Sequence, residues 1–158
     1  MRRFNTPKIQ ARRIGATIVE TAVIMPVFLL FMFALIEFGH AFMCRATLTA
    51  AAKDAARYGA IPGVTTSQVV SRVKARLNGA FRSVNATIYV KDASSFESAA
   101  TSTGTVSVPS LPNIELNNAD ERQLYIVRVQ VPYNNVAVMP PLWAKNLVLH
   151  GESVMRHE

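Results

Sequence analysis

At 158 residues, half of them hydrophobic, the chain has room for one domain of ordinary size and not comfortably for two. Its single cysteine, Cys44, excludes a disulfide framework and any CxxC metal or redox motif. The formal charge is +7, but residues 1–15 carry +5 and the rest of the chain only +2. The basicity therefore belongs to the N-terminus. Beyond it Arg82, Tyr89 and Lys91 form no RNA- or DNA-binding motif, which excludes nucleic acid as the partner.

Residues 1–15 hold two Arg pairs, Lys8 and Pro7 with no acid, and read as a basic cytoplasmic leader. An apolar run follows from Ala22 to Ile36, too short by itself for the ~20 residues a bilayer requires. Residues 16–38 are long enough for a transmembrane helix, and they enclose Glu20 and Glu37 near the two ends. Seventeen positions of helix correspond to roughly 25 Å, so the two acids fall near the two faces of a bilayer. That matters because an acid costs about 2.5 to 3.5 kcal/mol at the span centre and less near its ends. The leader's Arg and Lys residues stay inside, which puts residues 39–158 outside as an extracytoplasmic domain. Pro26 removes a backbone donor within the span and should kink it.

Beyond Gly39, which is small enough to permit close helix packing, the helix continues as a different surface. Arg45, Thr49, Lys53 and Arg57 recur every four residues as a polar stripe. Away from it lie Met43, Ala46, Thr47, Ala50, Ala51, Ala55 and Tyr58, a smooth face for other elements to approach. Asp54 can pair with Arg57 or Tyr58 one turn on. Gly59 to Gly63, with Pro62 between, ends a helix of about 45 residues. Cys44 reads as a small apolar residue on a helix face.

A small α+β domain completes the chain. Thr66 or Ser67 can cap a helix carrying Val69, Val70, Val73, Leu77 and Phe81 at helical spacing. Residues 84–91 alternate and predict a strand. Residues 93–121, rich in Ser, Thr, Asn and Ala with Pro109 and Pro112, predict an irregular connection. Residues 123–131 predict a second strand with Tyr125, Val127, Val129 and Val131 on one face. After Pro140-Pro141, a turn with Trp143 leads to a last strand over 146–155. These strands should pair antiparallel and cover the alanine-rich face of the long helix.

The junction Arg12-Arg13-Ile14-Gly15-Ala16-Thr17-Ile18-Val19-Glu20 resembles a type IV prepilin processing site. Two further segments, Ile36-Glu37-Phe38-Gly39-His40 and Ala51-Ala52-Lys53-Asp54-Ala55-Ala56-Arg57-Tyr58-Gly59-Ala60, resemble the TadE-like family, minor pseudopilins of the Tad (tight adherence, Flp pilus) system. The likeness covers residues 12–60 well, the tail Gly151–Glu158 moderately and the middle hardly at all. It departs at Thr21, where the class often has an aromatic residue. The resemblance implies cleavage by a prepilin peptidase between Gly15 and Ala16, which would make Glu20 the fifth mature residue. A freed Ala16 ammonium and the Glu20 carboxylate could then neutralise each other within or between subunits.

It further implies insertion in a bacterial inner membrane and partnership with other pseudopilins, the major Flp pilin and an inner-membrane assembly platform. Pilus assembly would serve adhesion and colonisation. Glu37 is open to two readings: an acid at the outer boundary of the span, or a partner of Arg45 or a neighbouring chain. Two competing classes stand beside the pseudopilin: a secreted binding protein behind an ordinary signal peptide, and an uncleaved single-span protein docking to a secretion platform. Against the signal peptide, no small-x-small site closely follows the apolar run. His40, His150 and His157 lie far apart and no HExxH, P-loop or GxGxxG occurs, so no enzyme, metal or cofactor is expected. Asn85-Ala86-Thr87 fits the glycosylation sequon but carries no weight.

Overall fold

The computed structural model describes residues 8–81, 85–98 and 107–158. Residues 1–7 of the expected leader, Arg82, Val84 at the start of the expected strand, and 99–106 of the irregular connection lie outside them. The fold is α+β: a long helix α1 (Lys8–Gly59), a second helix α2 (Thr66–Ala80), one further helical turn α3 (Ser95–Ser98), and strands β1 (Thr87–Asp92), β2 (Leu124–Pro132) and β3 (Val148–Arg156). The sheet is antiparallel, as expected, and its strand order is β1-β2-β3.

Helix α1 has 52 residues and passes through Pro26 without interruption, a length of roughly 78 Å. It includes residues 8–14 of the basic N-terminal segment, where no Pro or Gly breaks a helix. Its two halves have different surroundings. From Gly15 to Ile36 every residue is exposed except Ala34, which is half-buried. From Glu37 onward Ala41, Cys44, Leu48, Ala51, Ala52, Ala55 and Ala56 are buried, a stripe repeating every three or four residues and therefore one face of the helix. Met43, Ala46 and Ala50, expected on the covered face, are exposed; the buried stripe runs beside them. Alanine suits either environment, so its position alone did not say which flank would be covered.

Helix α2 packs on α1 through Val69, Val73 and Leu77. Its N-cap is Thr65 rather than Thr66 or Ser67: the Thr65 hydroxyl accepts the Gln68 N–H while the Gln68 side chain accepts the Thr65 N–H. That reciprocal pair is the capping box of a Thr followed three residues on by Gln. Thr66 is used differently. Its hydroxyl bonds the Ile114 carbonyl and receives the Leu116 N–H, tying the 107–123 connection to the helix start.

The sheet lies on the buried stripe of α1. Tyr125, Val127, Val129 and Val131 of β2 are fully buried on one face, as expected. The Tyr125 hydroxyl donates to the carbonyl of Ala56 on α1. Gly151 of β3, paired with Val129, stands against the helix backbone so closely that a Cβ there would collide with Leu48 and Thr49. The opposite face of β2 presents Ile126 to a smaller cluster of Ala93, Val108 and Leu111. Cys44 is an unpaired thiol in the main core, the apolar role read from its sequence position; burial pushes its pKa up.

Candidate functional site: the helix exit at Glu37

Glu37 is where α1 leaves its domain. It is only 4% exposed, although the residues on either side of it are exposed. A buried carboxylate needs compensation, and here it comes from three consecutive backbone amides of the β2–β3 connection. Leu142 N–H reaches Oε2 at 3.1 Å, Trp143 N–H lies 3.2 Å from both oxygens, and Ala144 N–H reaches Oε1 at 2.7 Å. Successive amides converging on one anion form a nest, which satisfies charge without a counter-ion. Among the described residues the Glu37 carboxylate is bonded by these backbone amides and not by Arg45, which is exposed.

The connection that supplies the nest is pinned at its base. Tyr133 N–H bonds the Leu147 carbonyl at 2.8 Å, and Asn134 and Asn146 bond each other through a side-chain pair and the Asn146 N–H. Asn146 takes a positive φ of 65°, a conformation asparagine tolerates better than most residues. Pro140 and Pro141 precede the nest, so the donors begin at Leu142.

A polar relay continues along the helix. The Tyr133 hydroxyl donates to the Glu37 backbone carbonyl at 3.1 Å and lies 3.2 Å from His40 Nδ1. Since the carbonyl can only accept, the hydroxyl donates to it, which leaves the Tyr133 oxygen to accept from His40 in the tautomer protonated on Nδ1. Cys44 Sγ stands 3.7 Å from His40 Nε2. Burial first, then the negative charge of Glu37 and the nearby Cys44, raise the Tyr133 pKa.

The other residues singled out in the sequence are not gathered at this site. Gly15, Ala16 and Glu20 lie on the exposed half of α1, and no polar contact is made by Glu20 among the described residues. Thr21 returns its hydroxyl to the Thr17 carbonyl. Gly39 is exposed, with open space where a Cβ would stand, so no close packing among the described residues uses it. The close approaches fall on Gly151 and on Gly59, where a Cβ would be 2.9 Å from side-chain atoms of Leu116 and Val69. Asp54 pairs with Arg72 of α2, at 3.0 and 3.3 Å, rather than with Arg57 or Tyr58. The Arg72 hydrogen bond holds the Asp54 carboxyl below its usual range. Tyr58 lies half-buried with the Arg72 guanidinium 4.9 Å above its ring, and Arg57 is exposed. Among the described residues no three His, Cys, Asp or Glu side chains are grouped as a metal would require.

The Glu37 nest had no signature in the sequence, because its donors are backbone atoms. The Pro-Pro pair was the one signal available: it marks a rigid turn whose next free donors fall on Leu142, Trp143 and Ala144.

Fold and site together define an α+β domain carried on a helix whose first half is long and apolar enough to cross a membrane and touches little of its own domain. Residues 15–57 match the model of the TadE-like protein family, which covers the helix from the glycine junction almost to its end. The resemblance read from the sequence is therefore shown for that segment. No curated protein and no solved structure matches the chain.

Proposed function

We propose that the chain is a minor pseudopilin of a Tad/Flp-type pilus, inserted in a bacterial inner membrane with its domain in the periplasm, cleaved between Gly15 and Ala16 by a prepilin peptidase, and active in pilus assembly. The observation that carries the reading is the division of α1. Its TadE-like segment has an apolar half without cover from its own domain and an alanine-rich half that is the spine of the core. The first half suits lipid before assembly and the helices of neighbouring subunits, including the major Flp pilin, after it. The second presents the domain at a fixed height above the membrane. The basic leader supports the orientation, and Glu20, exposed near the N-terminal end of the span, is free to meet an Ala16 ammonium.

One observation favours a second reading, an uncleaved single-span protein docked to a secretion platform. Helix α1 runs without a break from Lys8 across Gly15 and Ala16, so the bond to be cut would have to unwind before a peptidase could use it. The N-terminus of the protein purified from its native membrane separates the two. Intact mass and terminal peptide showing a start at Ala16 establish processing; a retained leader leaves the docking protein.

A further inference from the structure

At the tip of the β2–β3 connection the backbone holds Glu37, but the side chains have no task among the described residues of the domain. From Val138 to Trp143 it carries no charge, and its apolar side chains face outward: Val138 is 82% exposed, Leu142 61% and Trp143 45%. The nest sets its height. A helical side chain slopes toward the N-terminus, so amides bonded to the Glu37 carboxylate stand beside the turn before Glu37. Ala34 agrees: it is the one residue between Gly15 and Ile36 that is not exposed. The tip thus reaches alongside the last turn of the apolar span, where Phe38 is also exposed.

From Pro140 onward the backbone of this tip is prepared for a medium poor in water. Unsatisfied N–H groups are what bar irregular chain from hydrocarbon. Here Pro140 and Pro141 have none, and the next three are bonded to Glu37. Immediately beyond, Lys145 is exposed, as is Arg45 on the adjacent helix; both suit anionic headgroups. Tryptophan itself favours the boundary between headgroups and acyl chains.

We propose that the Val138–Trp143 tip is an interfacial membrane anchor, inserted among the headgroups of an anionic bilayer beside the transmembrane helix, where it holds the domain at a set height and orientation before assembly. The proposal rests on the membrane-spanning reading of α1 and is independent of cleavage and of the pilus.

Trp143 is the sole tryptophan of the chain, so its fluorescence reads the tip alone. The full-length protein is reconstituted in phosphatidylcholine/phosphatidylglycerol vesicles whose acyl chains carry bromine either near the headgroup or near the methyl end. The expected result is blue-shifted emission, with most of the intensity lost to shallow bromines and little to deep ones. The same depth profile is expected from Val138→Trp in a Trp143→Phe background, which moves the probe to the other end of the tip. Emission of a water-exposed indole without quenching, while the chain resists carbonate extraction, overturns the anchor and leaves the span standing. A chain that carbonate releases overturns both. Blue emission that ignores bromine and fades on dilution with lipid places a second copy over the tip and overturns the lipid assignment.

Discussion

The carboxylate of Glu37 accepts the backbone N–H of Ala144 at 2.7 Å across 107 residues of sequence, and this bond fixes where the long helix leaves its domain. A charge at the end of an apolar span is thereby converted into a structural joint: the nest neutralises the acid, and the acid holds the loop against the helix.

Replacing Glu37 by Gln keeps one acceptor oxygen but removes the charge that strengthens three hydrogen bonds. Amide exchange at Leu142, Trp143 and Ala144 should accelerate by at least about tenfold, the equilibrium factor such a charge-assisted bond is worth. Exchange in β2 should change far less. Equal acceleration throughout the domain would mean that Glu37 supports the whole fold rather than this joint.

Gly151 is the point where β3 meets the backbone of α1. Gly151→Ala drives a methyl group into Leu48 and Thr49, and neither can yield without moving the helix. Overpacking of this kind costs about 1 to 3 kcal/mol, occasionally more. Gly39→Ala, with open space around it, should leave the stability of the domain unchanged or slightly raised. Chemical denaturation of both variants in the same detergent makes the comparison.

Tyr125 joins the sheet to the helix through its hydroxyl. Tyr125→Phe leaves the Ala56 carbonyl without that donor and should cost about 0.5 to 1.5 kcal/mol. Burial pushes the Tyr125 pKa up to about 12, so the folded state resists ionisation more than the unfolded chain, which titrates near 10. The neutral phenol's contribution is therefore complete below pH ~10 and is lost as pH rises from ~10 toward 12. Spectrophotometric titration should show Tyr125 and Tyr133 ionising later than an ordinary phenol, and in Tyr125→Phe the late step should lose one phenol.

The Asp54–Arg72 pair binds α2 to α1 in partial contact with water. Its Asp is held below the ordinary carboxyl range by Arg72, so its contribution is present at neutral pH and lost as pH falls through the acid range. Exposed pairs are weak, and a double-mutant cycle of Asp54→Asn with Arg72→Gln should give a coupling below about fivefold in the folding equilibrium constant.

Much of this architecture was legible because hydrophobic periodicity reports burial directly. Val69, Val73 and Leu77 announced α2, and the alternation of Tyr125 to Val131 announced both β2 and its inner face. What stayed hidden were polar contacts over long sequence separations. Asp54 has plausible partners one turn away, yet an arginine on another helix presents a better fork. Gly39 and Gly151 look alike as letters; only the crossing of β3 over α1 decides which must be glycine. The glycine junction at Gly15 was readable as a pattern, whereas the nest around Glu37 exists only once residues 37 and 142–144 have been brought together.

Glu20 is the last link between structure and the proposed assembly. It is exposed near the N-terminal end of the span, and no polar contact of its own satisfies it among the described residues. If the Ala16 ammonium created by cleavage is its partner, Glu20→Ala should insert in the membrane and be processed as before, since neither step needs the carboxylate. Subunit incorporation should fall, because the ammonium would then enter the packed helices unpaired. Pilus yield measured beside the mature N-terminus of the variant tests this directly. Normal yield with normal processing removes the charge pair from the mechanism, whereas lost processing moves Glu20 from assembly to peptidase recognition.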